Sequence, residues 1–249
     1  MSLKINLVDK VVLVTGATRG IGKAIVEEFL IAGAKVYATG TNTKMISLVN
    51  KKNKNPRLKY LKLDISNFQE VKHFSKEILK KNTIDILVNN AGINIVSTSQ
   101  KIDYNDFVKI QKVNTHGPFL LAQILGEFMI EKKWGRIINI ASIWSKVARE
   151  GRLSYCSSKM ALLGINKSLA IEWAKYNVLV NCVSPGFTMT ELTKSTNSKQ
   201  DLKKIKNQIP MKRLATPDEI AKLVIFLSSN FNTYLTAQNI VIDGGYTAI

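Results

Sequence analysis

The chain is 249 residues long, with hydrophobic residues at 45% and charged residues at 22%, values that suit one α/β domain with a sizeable core and exclude a disordered or low-complexity polymer. Its formal net charge is +18, but the lysines are scattered through 51–54, 80–81, 132–133 and 203–204 without interleaved aromatics, so solvated basic faces are expected and no nucleic-acid partner. No apolar run approaches a bilayer span, and the first ten residues lack the apolar stretch and cleavage site of a secretory signal, so a cytoplasmic protein without membrane contact is expected.

In chain order, the β-branched run 11–15 predicts a first strand. It leads through a glycine-rich turn into a helix over 20–32, followed by strands at 35–39 and 60–63, a helix over 69–81 and a strand at 84–89. A long helix over 104–133, a strand at 136–140, a helix over 154–176 and a strand at 179–183 come next. The stretch 186–211 is polar and weakly periodic, which predicts a long mobile excursion and a candidate substrate lid. Thr216-Pro-Asp-Glu219 opens a helix over 217–229, and 239–242 closes the series as a seventh strand. This alternation predicts a single Rossmann-type, doubly wound α/β domain over 1–249: a seven-stranded parallel sheet flanked by helices. Cys156 and Cys182 have neither metal-ligand nor disulfide spacing; they are read as small core residues, and no metal is expected.

Chemistry enters at the turn after the first strand, Thr15-Gly-Ala-Thr-Arg-Gly-Ile-Gly22. Gly16, Gly20 and Gly22 permit a tight turn, close approach to a diphosphate and close packing of helix on strand, while the helix N-terminus favours negative charge. The spacing is G-x-x-x-G-x-G rather than G-x-G-x-x-G, so position, between first strand and first helix, carries the reading. The second strand ends in Thr39-Gly-Thr-Asn42, with no acid to repel a 2′-phosphate. Arg19, Thr39 and Thr41 are candidates to receive that phosphate. NADP(H) is therefore favoured, with NAD(H) the alternative.

Tyr155 and Lys159 are four residues apart on a predicted helix and share a face. A neighbouring ammonium stabilises a phenolate, which would bring Tyr155 toward the working range of an acid/base catalyst. An ordinary amphipathic helix carrying both residues is the competing reading of that pair alone.

Taken with the glycine turn, the blocks Asn89-Asn-Ala-Gly92, Asn114 in Val-Asn-Thr-His-Gly-Pro, Ser142 after Ile-Asn-Ile-Ala, Tyr155-x-x-x-Lys159 and Pro185-Gly-Phe-Thr188 resemble the short-chain dehydrogenase/reductases over the full length. The resemblance implies that Ser142 holds a substrate carbonyl oxygen and that Tyr155 gives it a proton. It further implies that Lys159 binds the nicotinamide ribose and that Asn114 positions a relay water. Gly16, Thr18, Arg19, Gly20, Ile21 and Gly22 would cradle the cofactor, with Asp64 and Ile65 at adenine and Asn90 and Gly92 at the nicotinamide-side ribose. Pro185, Gly186 and Thr188 would meet the nicotinamide end. Within the family the chain looks most like the 3-oxoacyl-acyl-carrier-protein reductases, which implies a carrier-bound substrate and a homotetramer with contacts on 104–133 and 154–176. Lys133 fits a basic docking position, whereas Tyr176-Asn177 stands where a second basic residue is common, with Lys175 adjacent. Ala148-Arg-Glu-Gly-Arg152, Glu172–Asn177 and Thr190–Leu192 instead resemble the sugar and polyol dehydrogenases, which implies a small-molecule substrate. Charged side chains at Arg149, Glu150 and Arg152 would then meet hydroxyls or carboxylates. A catalytically silent nucleotide-binding protein is the third reading, opposed by the intact Ser142, Tyr155 and Lys159.

Overall fold

The computed structural model describes residues 4–248. Seven strands, β1 (Val11–Val14), β2 (Lys35–Gly40), β3 (Leu58–Lys62), β4 (Ile86–Asn89), β5 (Gly135–Ile140), β6 (Val178–Pro185) and β7 (Asn239–Ile242), form one sheet in the order β3-β2-β1-β4-β5-β6-β7. Every pairing is parallel. Every residue of β5 and β6 is buried, as expected of strands covered by helices on both faces. Strand order reverses direction between β1 and β4, so a crevice opens there at the carboxyl edge.

Side-chain alternation splits the core in two. Val12, Val14, Val36 and Ala38 pack with Phe29 of α1 (Gly20–Ile31) and with Ile220 and Val224 of α9 (Pro217–Ser228). Leu13, Leu87 and Ile137 face the other way, onto Leu121 and Leu125 of α5 (Gly117–Glu131) and Leu169 and Trp173 of α6 (Leu153–Trp173). At Gly126 a Cβ would lie 2.6 Å from the Trp173 ring, so α5 approaches α6 closely only because that side chain is missing. Cys156 and Cys182 are buried, as expected.

Three elements depart from the sequence reading. Between β2 and β3 stands α2 (Thr43–Lys52), which buries Ile46 alone and is started by Asn42 accepting from the Met45 amide at 3.0 Å; so polar a helix carries almost no periodic signal. The expected helix over 104–133 is one continuous helical run, but a π-helical turn at Lys112–His116 divides it into α4 (Tyr104–Gln111) and α5. The excursion 186–211 contains α7 (Glu191–Thr196) and α8 (Lys199–Gln208), the latter begun by a Ser198/Asp201 capping box. Leu202, Ile205 and Ile209 anchor α8 against Phe187, Met189, Leu214 and Tyr246. The remaining helix is α3 (Phe68–Leu79). Among the described residues, no helix is long and apolar enough to cross a membrane.

Candidate active site

The glycine turn lies at the crevice. Gly16 and Gly20 have φ of +61° and +57°, in the left-handed region where a Cβ is strained. A Cβ on Gly22 would lie 2.4 Å from Asn90 Nδ2 and 2.6 Å from the Gly16 carbonyl oxygen, so the cradle closes only around glycine. Asn90 holds its shape, donating to the carbonyls of Thr15 and Gly16, each at 2.9 Å. The Thr15 hydroxyl accepts from the Asn90 and Ala91 amides at 3.0 and 3.1 Å. The family resemblance implies a place beside the ribose for Asn90; in the structure its side chain braces the turn from the β4 end.

Arg19, just before α1, and Thr41, just after β2, are both exposed at this edge, and Thr18 lies against Gly40, where a Cβ would stand 2.7 Å from Thr18 Cγ2. Thr39 differs from expectation. Strand alternation turns its side chain inward on the Tyr37 face, at 1% exposure with an unpartnered hydroxyl, and only its carbonyl reaches the turn, accepting from the Ala17 amide at 2.8 Å. Ile21 is partly buried in the first turn of α1. Asp64 accepts from the Ser66 amide and hydroxyl at 2.9 and 2.7 Å, shaping the turn before α3, and Ile65 is buried at 4% exposure beside Gly117.

Across the crevice, Ser142 lies two residues beyond β5 and accepts from the Trp144 amide at 3.2 Å. Tyr155 is partly buried, with its phenol close enough to the Ser142 side chain to be stabilised by it. Lys159 is 3% exposed; its Nζ donates to the Ile140 carbonyl at 2.7 Å and lies 5.7 Å from the Tyr155 ring centroid. Burial pushes the Lys159 amine down to about 8. Burial also pushes the Tyr155 phenol above its ordinary value, against the downward pull of Ser142 and Arg152. That direction is opposite to the one expected from spacing, because desolvation of the phenolate dominates and the Lys159 amine is directed at Ile140.

Asn114 sits in the π turn at 0% exposure. Its Oδ1 accepts from the Ile93 amide at 2.9 Å, and its Nδ2 donates to the Ile93 carbonyl at 2.9 Å and to Ser158 Oγ at 3.0 Å. A Cβ on Gly92 would stand 3.4 Å from Asn114 Oδ1 and 3.6 Å from Lys159 Nζ, so the three gather at one point. Ser158 donates onward to the Tyr155 carbonyl at 2.7 Å. Pro185 ends β6 buried, Gly186 lies against Asp243, and the 6%-exposed Thr188 donates to the Gly186 carbonyl at 3.2 Å. Two features escaped sequence reasoning. Thr190, which caps α7, lies over the glycine turn, where a Cβ on Gly20 would meet Thr190 Cγ2 at 3.4 Å; its signal was Thr190-Glu191 at a helix start. Trp144, Phe187 and Tyr246 form an edge-to-face cluster with centroids 5.3 to 6.1 Å apart, with Tyr155 packed on it; nothing local in the sequence joins them. Two hollows, about 210 and 330 Å³, lie beside Ser154 and on the outer face of α5 and α6, and neither includes Tyr155.

A family model described as enoyl-(acyl carrier protein) reductase matches residues 16–247. The 3-oxoacyl-(acyl-carrier-protein) reductase FabG of Aquifex aeolicus is 38% identical over 247 residues, 98% of this chain and 99% of that protein. The NAD-dependent glycerol dehydrogenase of Listeria innocua is 37% identical over 243 residues, 97% of this chain and 95% of that protein. A solved gluconate 5-dehydrogenase from Burkholderia cenocepacia, in complex with NADP and tartrate, matches with a TM-score of 0.92 at 28% identity, over 99% of this chain and 98% of that one. The chain belongs to the short-chain dehydrogenase/reductase family and is an NAD(P)-dependent oxidoreductase acting on the CH–OH/C=O pair.

Proposed function

We propose that the protein is an NADP(H)-dependent reductase of 3-oxoacyl thioesters borne on acyl carrier protein. The observation that carries the chemistry is the Ser142–Tyr155 hydroxyl pair with the Lys159 amine beside it, at the carboxyl edge of β5. Ser142 holds the carbonyl oxygen and Tyr155 delivers a proton to it as charge develops there. The glycine cradle and the α1 N-terminus fit a dinucleotide diphosphate, and when bound the nicotinamide supplies or takes the hydride. Lys159 orients the nicotinamide ribose and keeps positive charge near the phenol, while Asn114, tied to Ile93, fixes the turn behind Lys159. Arg19 and Thr41 receive the 2′-phosphate, which makes NADP(H) the preferred form; NAD(H) is the alternative, and the glycerol dehydrogenase relative is NAD-dependent. Asp64 and Ile65 border adenine, and Thr188 meets the carboxamide.

The thioester assignment is supported by the similarity to FabG over nearly the whole chain, and exposed Lys133 and Lys175 would face an acidic carrier. Segment 186–211 acts as a lid, with Thr190 over the glycine turn. The outer faces of α5 and α6, with exposed Phe119 and Ile171, are the contacts of a homotetramer in the cytoplasm. A second reading, oxidation of a sugar acid, is favoured by Arg149 and Arg152 in the loop before Tyr155 and by similarity to a gluconate 5-dehydrogenase. NADPH absorbance with acetoacetyl thioesters, set against sugars, sugar acids and nucleotide sugars, tests the assignment. Turnover of thioesters alone supports it, and turnover confined to sugar acids moves the protein to the second reading.

A further inference from the structure

Arg152 is the residue immediately before α6, three positions ahead of Tyr155, so the two emerge on the same side of the helix start. It is partly buried, and the charged or titratable groups that face it are Arg149, Tyr155 and Cys156. Among the described residues, no carboxylate lies within ion-pair distance of Arg149 or Arg152, and neither guanidinium donates a hydrogen bond. Two other arginines find acceptors, and the two that do not, Arg19 and Arg57, are exposed to water. Arg213 donates to both Glu219 oxygens at 2.8 and 2.6 Å, and the buried Arg136 donates to three backbone carbonyls. A guanidinium drawn partly from water, beside a like charge and without an acceptor, is unfavourable until an anion arrives. A carboxylate offers the two-pronged match that relieves it.

The loop that carries the pair is held in place. Gly151 has φ +72°, and its carbonyl accepts from the Ser97 amide at 3.1 Å. The Arg152 amide donates to the Arg149 carbonyl at 3.2 Å, and Val147 is tied to Ile143 at 3.0 Å. Such a loop loses little freedom on binding. Nearby, the Trp144, Phe187 and Tyr246 cluster gives Tyr155 an apolar flank.

We propose that Arg152, backed by Arg149, is the binding site for the carboxylate of a small hydroxy- or oxo-acid, held one helical turn from the carbon that Tyr155 serves. The inference rests on the second reading above and gives its substrate a charge. Neutral polyols would lack the anchor, and a carrier-bound 3-oxoacyl group has no anion so close to its carbonyl.

Calorimetry on the NADP⁺-loaded protein tests it with three ligands: gluconate, its neutral counterpart sorbitol, and sorbitol 6-phosphate. The expected result is that gluconate binds at least about tenfold tighter than sorbitol, the loss of one charge-assisted contact. Arg152→Gln should abolish that preference while leaving Tm and NADP⁺ affinity unchanged, and Arg149→Gln should weaken it. Equal affinity for gluconate and sorbitol, no binding of either, or a preference that survives Arg152→Gln overturns the proposal. Tighter binding of the phosphate than of gluconate overturns the carboxylate assignment. Should Arg152→Gln not fold, Arg149→Gln and the salt dependence of the wild-type preference decide; a preference insensitive to both is a refutation. Gluconate turnover with NADP⁺, followed separately, keeps the two claims apart. Turnover without a charge preference sinks the anion site alone, and a charge preference without turnover sinks the sugar-acid reading alone.

Discussion

Burying Lys159 opposes folding. Its folded-state value of about 8 lies below the ordinary lysine value of 10.5, so the folded chain binds fewer protons between those two pH values and stability rises with pH there. Below pH 8 the full penalty applies, on the order of 3 kcal/mol from the size of that shift. We expect Lys159→Met to raise the Tm of the cofactor-free protein at pH 6, and to raise it less at pH 9.5. Differential scanning calorimetry at both pH values checks this; an equal gain at the two would mean that burial of the charge is not the cause. The same substitution should weaken cofactor binding and turnover together. Gly22 gives a second residue-scale prediction. With Asn90 Nδ2 at 2.4 Å from the would-be Cβ, Gly22→Val should lower NADPH affinity at least about tenfold, measured by fluorescence titration, because the Asn90 brace is displaced. Unchanged affinity would show that the cradle does not hold the diphosphate.

The π turn between α4 and α5 has a visible purpose at the level of elements. Its side chains grip the start of α6: Gln111 just before it donates to Ser157 Oγ at 2.9 Å, Asn114 to Ser158 Oγ at 3.0 Å, and Thr115 to the Ser158 carbonyl at 3.1 Å. That turn of α6 carries Tyr155 and Lys159. Asn114→Ala strands the amide and carbonyl of Ile93, so we expect a loss of about 1–3 kcal/mol. In a chain of this size that is a Tm drop of several degrees, visible by circular dichroism, together with a fall in kcat. A drop in Tm with full kcat would separate the turn from the chemistry. Gly117 and Pro118, at the start of α5, were the readable sign that the hydrogen-bond ladder changes within the helical run 104–131. The strands were legible to within a few residues because β1, β2, β4, β5 and β6 are short, largely buried runs with β-branched residues, whereas β3 and β7 are only partly buried and were read from short apolar runs in the alternation. α2 and α8 were not, since α2 and α8 each bury one isoleucine, Ile46 or Ile205, and polar caps rather than periodicity start both. At the site, spacing brought Tyr155 and Lys159 together correctly on one helix. It did not reveal the Ile140 carbonyl contact or the direction of the Tyr155 shift, which depend on burial by distant segments. Thr39 was misjudged for a similar reason: a residue at a strand end points to one face or the other, and register, not composition, decides which.

Across the whole molecule, the sheet order brings the glycine turn after β1, Asn90 after β4 and Ser142 after β5 to one edge, and Thr190, from a segment about fifty residues further along the chain, lies beside that glycine turn. The family assignment accounts for the fold and the hydride chemistry. If α5 and α6 form the contacts of a tetramer, Ile171→Arg should shift the sedimentation coefficient toward smaller species; an unchanged tetramer would place the interface elsewhere. The central claim is that the Tyr155 hydroxyl supplies the proton at the reacting oxygen. It is tested most directly by comparing wild-type and Tyr155→Phe proteins for NADPH binding and for single-turnover reduction of acetoacetyl thioester, or of whichever carbonyl the panel identifies. The account predicts NADPH affinity within about twofold of wild type and a rate lower by roughly two to four orders of magnitude. A Tyr155→Phe protein that binds NADPH and turns over at the wild-type rate would contradict it.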